Sequence, residues 1–231
     1  MKKATQRRGA AASAARSSRA DKTVPARPKR NAVATKEKIL RAGIAEFCAH
    51  GYGGARTARI ARRGRCNIRM IYHYFGNKEG LYLAALERVY GDIRAREEEL
   101  DLLRLDPVEG IAALCDFTFE HHAAHQDFVK LVIIENIQQG RYLRKSKIVP
   151  QATQPLVDTI RKLLRRGQQQ GVFRRNVDPV QLYISIMSMS FIHLSNKHTL
   201  SITYDRDLDD PKWLNARRNH VRDMVLGFLR P

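Results

Sequence analysis

Residues 66–82 read CNIRMIYHYFGNKEGLY. The run packs three aromatics, a histidine and an arginine into ten positions, then turns at once to glycine, asparagine and charge. At about 100° per residue, residues 68–75 form a short helix on which Ile71 and Phe75, four apart, point together into a core. Arg69, Met70 and His73 fall on the opposite side, with Tyr72 and Tyr74 on the flanks and Ile68 nearer the buried edge. Asn67 is a good N-cap, since its side-chain oxygen can take an amide that the first turn leaves unpaired. Such an outward face suits a DNA major groove. Arg69 can pair bidentately with guanine, Met70 can touch a thymine methyl, and the tyrosines can hold phosphates. Lys78, in the first turn of the next helix, adds charge beside amides already aimed at phosphate. The competing reading is structural: Tyr72 and Tyr74 pack between helices as aromatic clusters commonly do.

Upstream, a short helix follows Thr57 as N-cap, turns Ile60 and Ala61 inward and ends at Arg63-Gly64. Before it, a longer helix opens at Thr35, repeats apolar residues at Leu40, Ile44 and Phe47, and stops at His50-Gly51. Two short helices joined by a tight turn form a helix-turn-helix. Charge supports the reading. The 231 residues carry a net +19, of which residues 1–34 hold +9 (ten Lys/Arg against Asp21) and residues 35–78 hold +8 (ten against Glu37 and Glu46). Only +2 remains for the rest, so a basic front is joined to a nearly neutral body, and the partner implied is double-stranded DNA.

Residues 1–34 are rich in Ala, Arg, Ser and Lys with no aromatic, and read as a disordered basic tail; a transit peptide has a similar composition. The longest mostly apolar run, LYISIMSMSFIHL at 182–194, is too short to span a membrane. Cys48, Cys66 and Cys115 are odd in number and scattered, which favours buried thiols over a disulfide framework; Cys48 and Cys66 fall in one subdomain, where a redox pair is conceivable.

No stretch sustains the period-2 alternation of a sheet, so the fold class is all-α: a three-helix domain at 35–80, then a larger helical domain at 81–231 for effector binding and dimerisation. Asn77 caps a helix with an apolar stripe of Tyr82, Leu86, Val89, Ile93, Leu100 and Leu103. Asp106-Pro107, Asp178-Pro179 and Asp210-Pro211 each place an N-cap before a first-turn proline. A helix over 150–170 closes at Gly171, and about six helices follow the first three. The last two, 178–197 and 211–229, predict a dimer interface through Leu182, Ile186 and Met189, beside the small Ser185 and Ser188, and through Leu214, Val221, Val225 and Phe228.

Within the body, Glu135 lies in LVIIENI, where a carboxylate is costly unless paired. It shares a face with Phe128, Leu131 and Val132, and reads either as the polar anchor of an effector pocket or as a structural ion pair with an arginine. Phe117 and His121, four apart, line the same space. HHAAH at 121–125 has an i, i+4 histidine spacing that can hold zinc, but no further ligand completes the site and the helix macrodipole alone favours histidine there. No metal or cofactor is expected.

The run from Thr35 to about Leu86 resembles the DNA-binding domain of the TetR family of bacterial transcriptional regulators. EFCAHGYGGART closes the first helix, ARIARR is the second, and IRMIYHYF followed by GNKEGLY carries the most specific likeness. The resemblance implies a homodimer, a small-molecule pocket in the helical body, and a pseudo-palindromic operator released when an effector respaces the two reading heads. It places Arg56, Thr57, Asn67, Arg69, Met70, Tyr72, His73, Tyr74 and Lys78 at DNA-contact positions, in a repressor that works in the cytoplasm on the nucleoid. One departure stands out: Arg65 occupies the turn position where the family usually has glycine, and Gly64 precedes it. Either Arg65 is left-handed or the turn is shifted by one residue. Two other function classes remain, a non-specific architectural DNA-binding protein and a helical metal-dependent enzyme built on Glu135 and the histidines.

Overall fold

The computed structural model describes residues 28–231. Among the described residues there is no strand, and ten α-helices run in the order α1 Pro28–Gly54, α2 Thr57–Arg63, α3 Ile68–Phe75, α4 Lys78–Glu99, α5 Pro107–Ala124, α6 Gln126–Ile137, α7 Ile148–Gln169, α8 Pro179–Ser195, α9 Lys197–Tyr204 and α10 Pro211–Leu229, with 3-10 turns at Leu102–Arg104 and Leu143–Lys145. The three Asp-Pro starts form as the sequence requires. Asp106 accepts from the Val108 amide, Asp178 from Gln181, and Asp210 from Lys212 and Trp213.

Several boundaries differ from those read in the sequence. Helix α1 starts at Pro28 rather than Thr35, so residues 28–34 of the expected tail are helical, and residues 1–27 of that tail lie outside the described residues. Its straight part ends at Gly51, where φ 65 and ψ 176 are open only to glycine, and one more turn follows to Gly54. Helix α4 ends at Glu99, so Leu103 leaves its stripe and is exposed on the 3-10 turn. Helix α9 has no clear signal in the sequence, because KHTLSITY is short and rich in β-branched and hydroxyl residues with weak helix propensity.

Two apolar clusters hold the molecule together. The first joins Ile39 and Phe47 of α1, Ile60 of α2 and Ile71 of α3 to Leu81, Tyr82 and Leu86 of α4 and to Phe128 and Leu131 of α6. The 80/81 boundary therefore cuts through one continuous core, and α4 belongs to both halves. The second cluster joins Ile111 and Leu114 of α5, Ile160 and Leu163 of α7, Leu182 and Ile186 of α8, and Val225 of α10. No helix among the described residues is long and apolar enough to cross a membrane.

Candidate nucleic-acid interface and the polar interior of the body

Helix α3 is held by its N-cap and by one apolar contact line. The Asn67 side chain accepts the Arg69 amide at 2.9 Å, Ile71 is fully buried, and Phe75 is half-buried. Arg69, Tyr72 and His73 are exposed. Two side chains depart from the helical-wheel expectation. Ile68 is exposed rather than at the buried edge, and Met70 is half-buried against the first core rather than outward. Tyr74 is half-buried, with its ring 4.9 Å from that of His73. The free face of α3 is thus Ile68, Arg69, Tyr72 and His73.

The turn before α3 takes the first of its two alternatives. Arg65 is left-handed at φ 48, while Gly64 is in ordinary helical space at φ −74. A Cβ on Gly64 would lie 3.2 Å from the Ile60 carbonyl. The glycine therefore serves close packing and the arginine carries the strain, about 1 kcal/mol. The elbow after α3 depends on Gly80, where an added Cβ would fall 2.1 Å from the Phe75 carbonyl. Asn77 caps α4 by accepting the Gly80 amide. Lys78 is half-buried, its ammonium 4.6 Å from the Tyr52 ring centre. Burial and the charge of Arg59 lower its pKa.

Helix α2 starts differently from the sequence reading. Its N-cap is Arg56, not Thr57, and Arg56 makes no side-chain cap. The capping group comes instead from α1. The buried Glu46 carboxylate accepts the Arg56 amide at 3.1 Å and Arg59 Nε at 2.6 Å through the same oxygen, Oε1. Burial alone would raise the Glu46 carboxyl, but these two donors hold it below the usual range. Nothing in the local pattern singles out Glu46; the interaction spans ten and thirteen residues and only exists once α1 and α2 pack. Arg56, Arg62, Arg63, Arg65 and Arg69 are all exposed, and none is in an ion pair among the described residues.

In the body, Glu135 has no arginine partner among the described residues. Its Oε1 accepts the Tyr142 and Leu143 amides, both at 2.8 Å, and so ties down the turn after α6. Those two amides offset part of the cost of burying the carboxylate, while its Oε2 is buried without a hydrogen-bond partner. Phe117, His121 and Phe128 do come together, with ring centres 5.6 Å apart for Phe117 and His121 and 6.1 Å for His121 and Phe128. His121 and His125 stack face to face at 4.1 Å instead of converging on a point, and His125 Nδ1 is taken by the His121 carbonyl. Among the described residues no group of three or more His, Cys, Asp or Glu could hold a metal ion. The redox reading of the cysteines also loses its footing. All three are free, and burial pushes the Cys48 thiol up to about 11, far from a reactive thiolate.

His121 and His122 of α5 and His193 of α8 are buried, and both ring nitrogens of His122 and His193 lack hydrogen-bond partners. Burial, followed by neighbouring histidines and arginines, lowers His121 to about 3 and His122 to about 4; burial and then Arg217 lower His193 to about 4. These groups are neutral when folded but take up protons near pH 6.5 when unfolded, so stability falls as pH drops below that value. Glu97 runs the other way, because burial raises its carboxyl to about 7, and it offsets roughly one histidine. The expected net loss from pH 7.5 to 5.5 is about 2–3 kcal/mol, or roughly 4–12 °C in Tm. Thermal unfolding across that range that showed a level or rising Tm would contradict neutral, buried imidazoles.

Arg94, Glu97 and Tyr183 form a buried polar knot joining α4 to α8. Arg94 Nη1 lies 2.7 Å from Glu97 Oε2, Arg94 Nη2 donates to the Tyr183 hydroxyl at 2.9 Å, and that hydroxyl donates to Glu97 Oε1 at 2.8 Å. Beside it a cavity of about 170 Å³ opens between the end of α4 and α7.

Of the residues expected at the face of the two long C-terminal helices, Phe228 stands outward but most of the others do not. Leu182, Ile186, Val221 and Val225 are buried in the body's own core, while Ile184 (55% exposed) and Phe228 (52%) stand outward with Val180, Ile192 and Met224. The sequence identified the helices but could not tell which of two apolar faces the body consumes. Ser185 and Ser188 are exposed on α8, as a closely approaching partner needs.

Comparison with known proteins agrees with this architecture. Residues 39–85 match the family described as bacterial regulatory proteins, tetR family, and residues 107–225, more than half of the chain, match the tetracyclin repressor-like C-terminal domain. The chain is 32% identical over 196 residues to the HTH-type transcriptional repressor NicS of Pseudomonas putida, covering 85% of this chain and 92% of that protein. It is 32% identical over 165 residues to the repressor SCO4008 of Streptomyces coelicolor, covering 70% and 79%. In structure it is similar to the transcriptional regulator SCO4942 of Streptomyces coelicolor, with a TM-score of 0.64 at 24% identity over 85% of this chain and 99% of that one.

Proposed function

The chain belongs to the TetR family of bacterial transcriptional regulators, and we propose that it is a ligand-responsive repressor that reads a pseudo-palindromic operator as a homodimer through the free face of α3. The observation that carries this reading is the exposure of Arg69, Tyr72 and His73 on a helix whose other side is anchored by Ile71, amid four further exposed arginines without ion-pair partners among the described residues. An arginine face on a rigid short helix meets the major-groove code, and the surrounding cations meet the backbone. Arg56 and Thr57 at the start of α2, Asn67 at the start of α3, and Lys78 at the start of α4 lie where amides and charge can hold phosphates on either side; Tyr74 and Met70 act mainly as supports. An architectural protein would not need this separate base-reading face.

Dimerisation follows from the outward face of α8 and α10. Paired across a two-fold axis, these helices make a four-helix bundle that sets the separation of the two heads. Ile184→Asp combined with Phe228→Asp is expected to give a monomer by light scattering at micromolar concentration and to lose most operator binding, since each half-site then binds alone. A wild-type monomer, or a double variant that stays dimeric, would overturn the arrangement.

A further inference from the structure

We propose that the groove between α1 and the turn from α2 to α3 grips a DNA phosphate, one that lies outside the bases read by α3. The proposal rests on the operator-reading role of α3 given above and adds a second hold on the duplex in each head.

Lys38 and Arg41 of α1 line one side of the groove, and Arg63 and Arg65 line the other. These four cations border one space of about 390 Å³, and no carboxylate lines it. All four side chains are exposed. Lys38, Arg63 and Arg65 form no ion pair among the described residues, and Arg41 lies 3.9 Å from a Glu37 carboxylate that Arg88 already engages through hydrogen bonds of 2.7 and 2.6 Å. The two sides are held firmly together: a Cβ added to the buried Gly64 would lie 3.6 Å from the Cβ of Ala42 on α1. Like charges fixed this close raise one another's energy, and an anion seated among them converts that cost into attraction. A phosphodiester suits the site, since each guanidinium fork can meet two of its oxygens. Placement supplies the link to DNA. Arg65 precedes the Asn67 cap by two residues, so the groove opens beside the N-terminal end of α3. That end of a reading helix is the one that meets the base edges, which brings the backbone of the duplex alongside. Arg65 itself takes a φ of 48, a conformation that glycine adopts without strain. An arginine held there sets its guanidinium among three other cations, and backbone strain of this kind persists where a function needs the geometry.

The test uses full-length protein. Arg63→Gln combined with Arg65→Gly removes one side of the groove, and Lys38→Gln combined with Arg41→Gln removes the other. Each pair is expected to weaken operator and scrambled duplex alike, by roughly 10–100-fold in about 0.1 M salt, and to flatten the slope of log K against log salt by about 1.8, or 0.9 for one phosphate at each of two heads. Joining the two pairs should add little, because both serve the same phosphate. Tm should not fall in the first pair, since glycine takes the left-handed turn without strain. Lys162→Gln combined with Arg165→Gln, which removes two exposed charges from α7, should leave the slope unchanged. Operator duplexes carrying a single methylphosphonate then locate the contact: the parent protein should lose affinity at one flanking phosphate where the groove variants lose nothing further. If the α7 pair flattens the slope as much as the groove pairs, or if the effects of the two groove pairs add in full, the cations act as a diffuse field and the assignment is wrong. If sodium phosphate raises Tm through these residues while no methylphosphonate position separates variants from parent, the groove holds a free anion and not DNA. A parent protein that bound operator and scrambled duplex equally would overturn the reading role of α3 instead, and the groove would still show in the salt slope.

Discussion

Arg69→Ala is expected to raise the operator Kd by roughly 30-fold to 10⁴-fold, because a dimer loses about 1–3 kcal/mol of base recognition at each of two half-sites. The side chain is free to act in this way. Only the backbone amide of Arg69 is engaged, by the Asn67 cap, and its guanidinium stands on the exposed face of α3 with no ion-pair partner among the described residues. Affinity for scrambled duplex should change far less, and the slope of log K against log salt should barely move. Removing residues 1–27, which carry eight Lys/Arg against Asp21, should do the reverse. It should weaken operator and scrambled duplex alike and flatten the salt slope by about 0.9 for each phosphate that is no longer neutralised. Titrations of both proteins on both duplexes at several salt concentrations separate the two. Equal losses on operator and scrambled DNA for Arg69→Ala would make α3 a phosphate-binding element rather than a reader.

Glu46→Ala is expected to lower stability by about 3 kcal/mol, a fall of roughly 6–12 °C in Tm. The carboxylate is 2% exposed and serves two donors at once, so its loss strands the Arg56 amide at the start of α2 and leaves Arg59 with the Gly54 carbonyl but no anionic partner. Because the Arg56–Thr57 segment hangs on that carboxylate, operator affinity should fall as well, even at temperatures where the protein is folded. Glu46→Gln, which can still accept the amide, should recover about half of the loss. Calorimetry that placed Glu46→Ala within about 1 °C of the parent protein would sink the idea that this carboxylate sets the entry to α2.

The three-helix front was legible because its determinants are local. Asn67 and Asn77 cap the helices that start beside them, Ile71 and Phe75 recur at helical spacing, and a glycine stands at the sharp turns that follow α1 and α3. The same holds for the three Asp-Pro helix starts. Arg65 marks the limit of such reading. Two turn geometries were open to the sequence, and the structure takes the left-handed arginine, with Gly64 in helical space in a tight contact with the Ile60 carbonyl.

The sequence by itself determined that this protein is helical, that its charge is concentrated at one end, and that a capped, arginine-bearing helix sits at that end, since propensity, capping and charge act within a few residues. Only the tertiary structure decided which apolar face of α8 and α10 stands outward, that Glu135 ties down a turn while Glu46 holds the start of α2, and that Arg94, Glu97 and Tyr183 meet beside a cavity. Those outcomes depend on residues 7 to 89 positions apart. A side chain's periodicity states that it will be buried or paired, but its partner is selected by the packing of helices that are distant in the chain, where the desolvation cost of each polar group must be met by whatever donor or acceptor arrives.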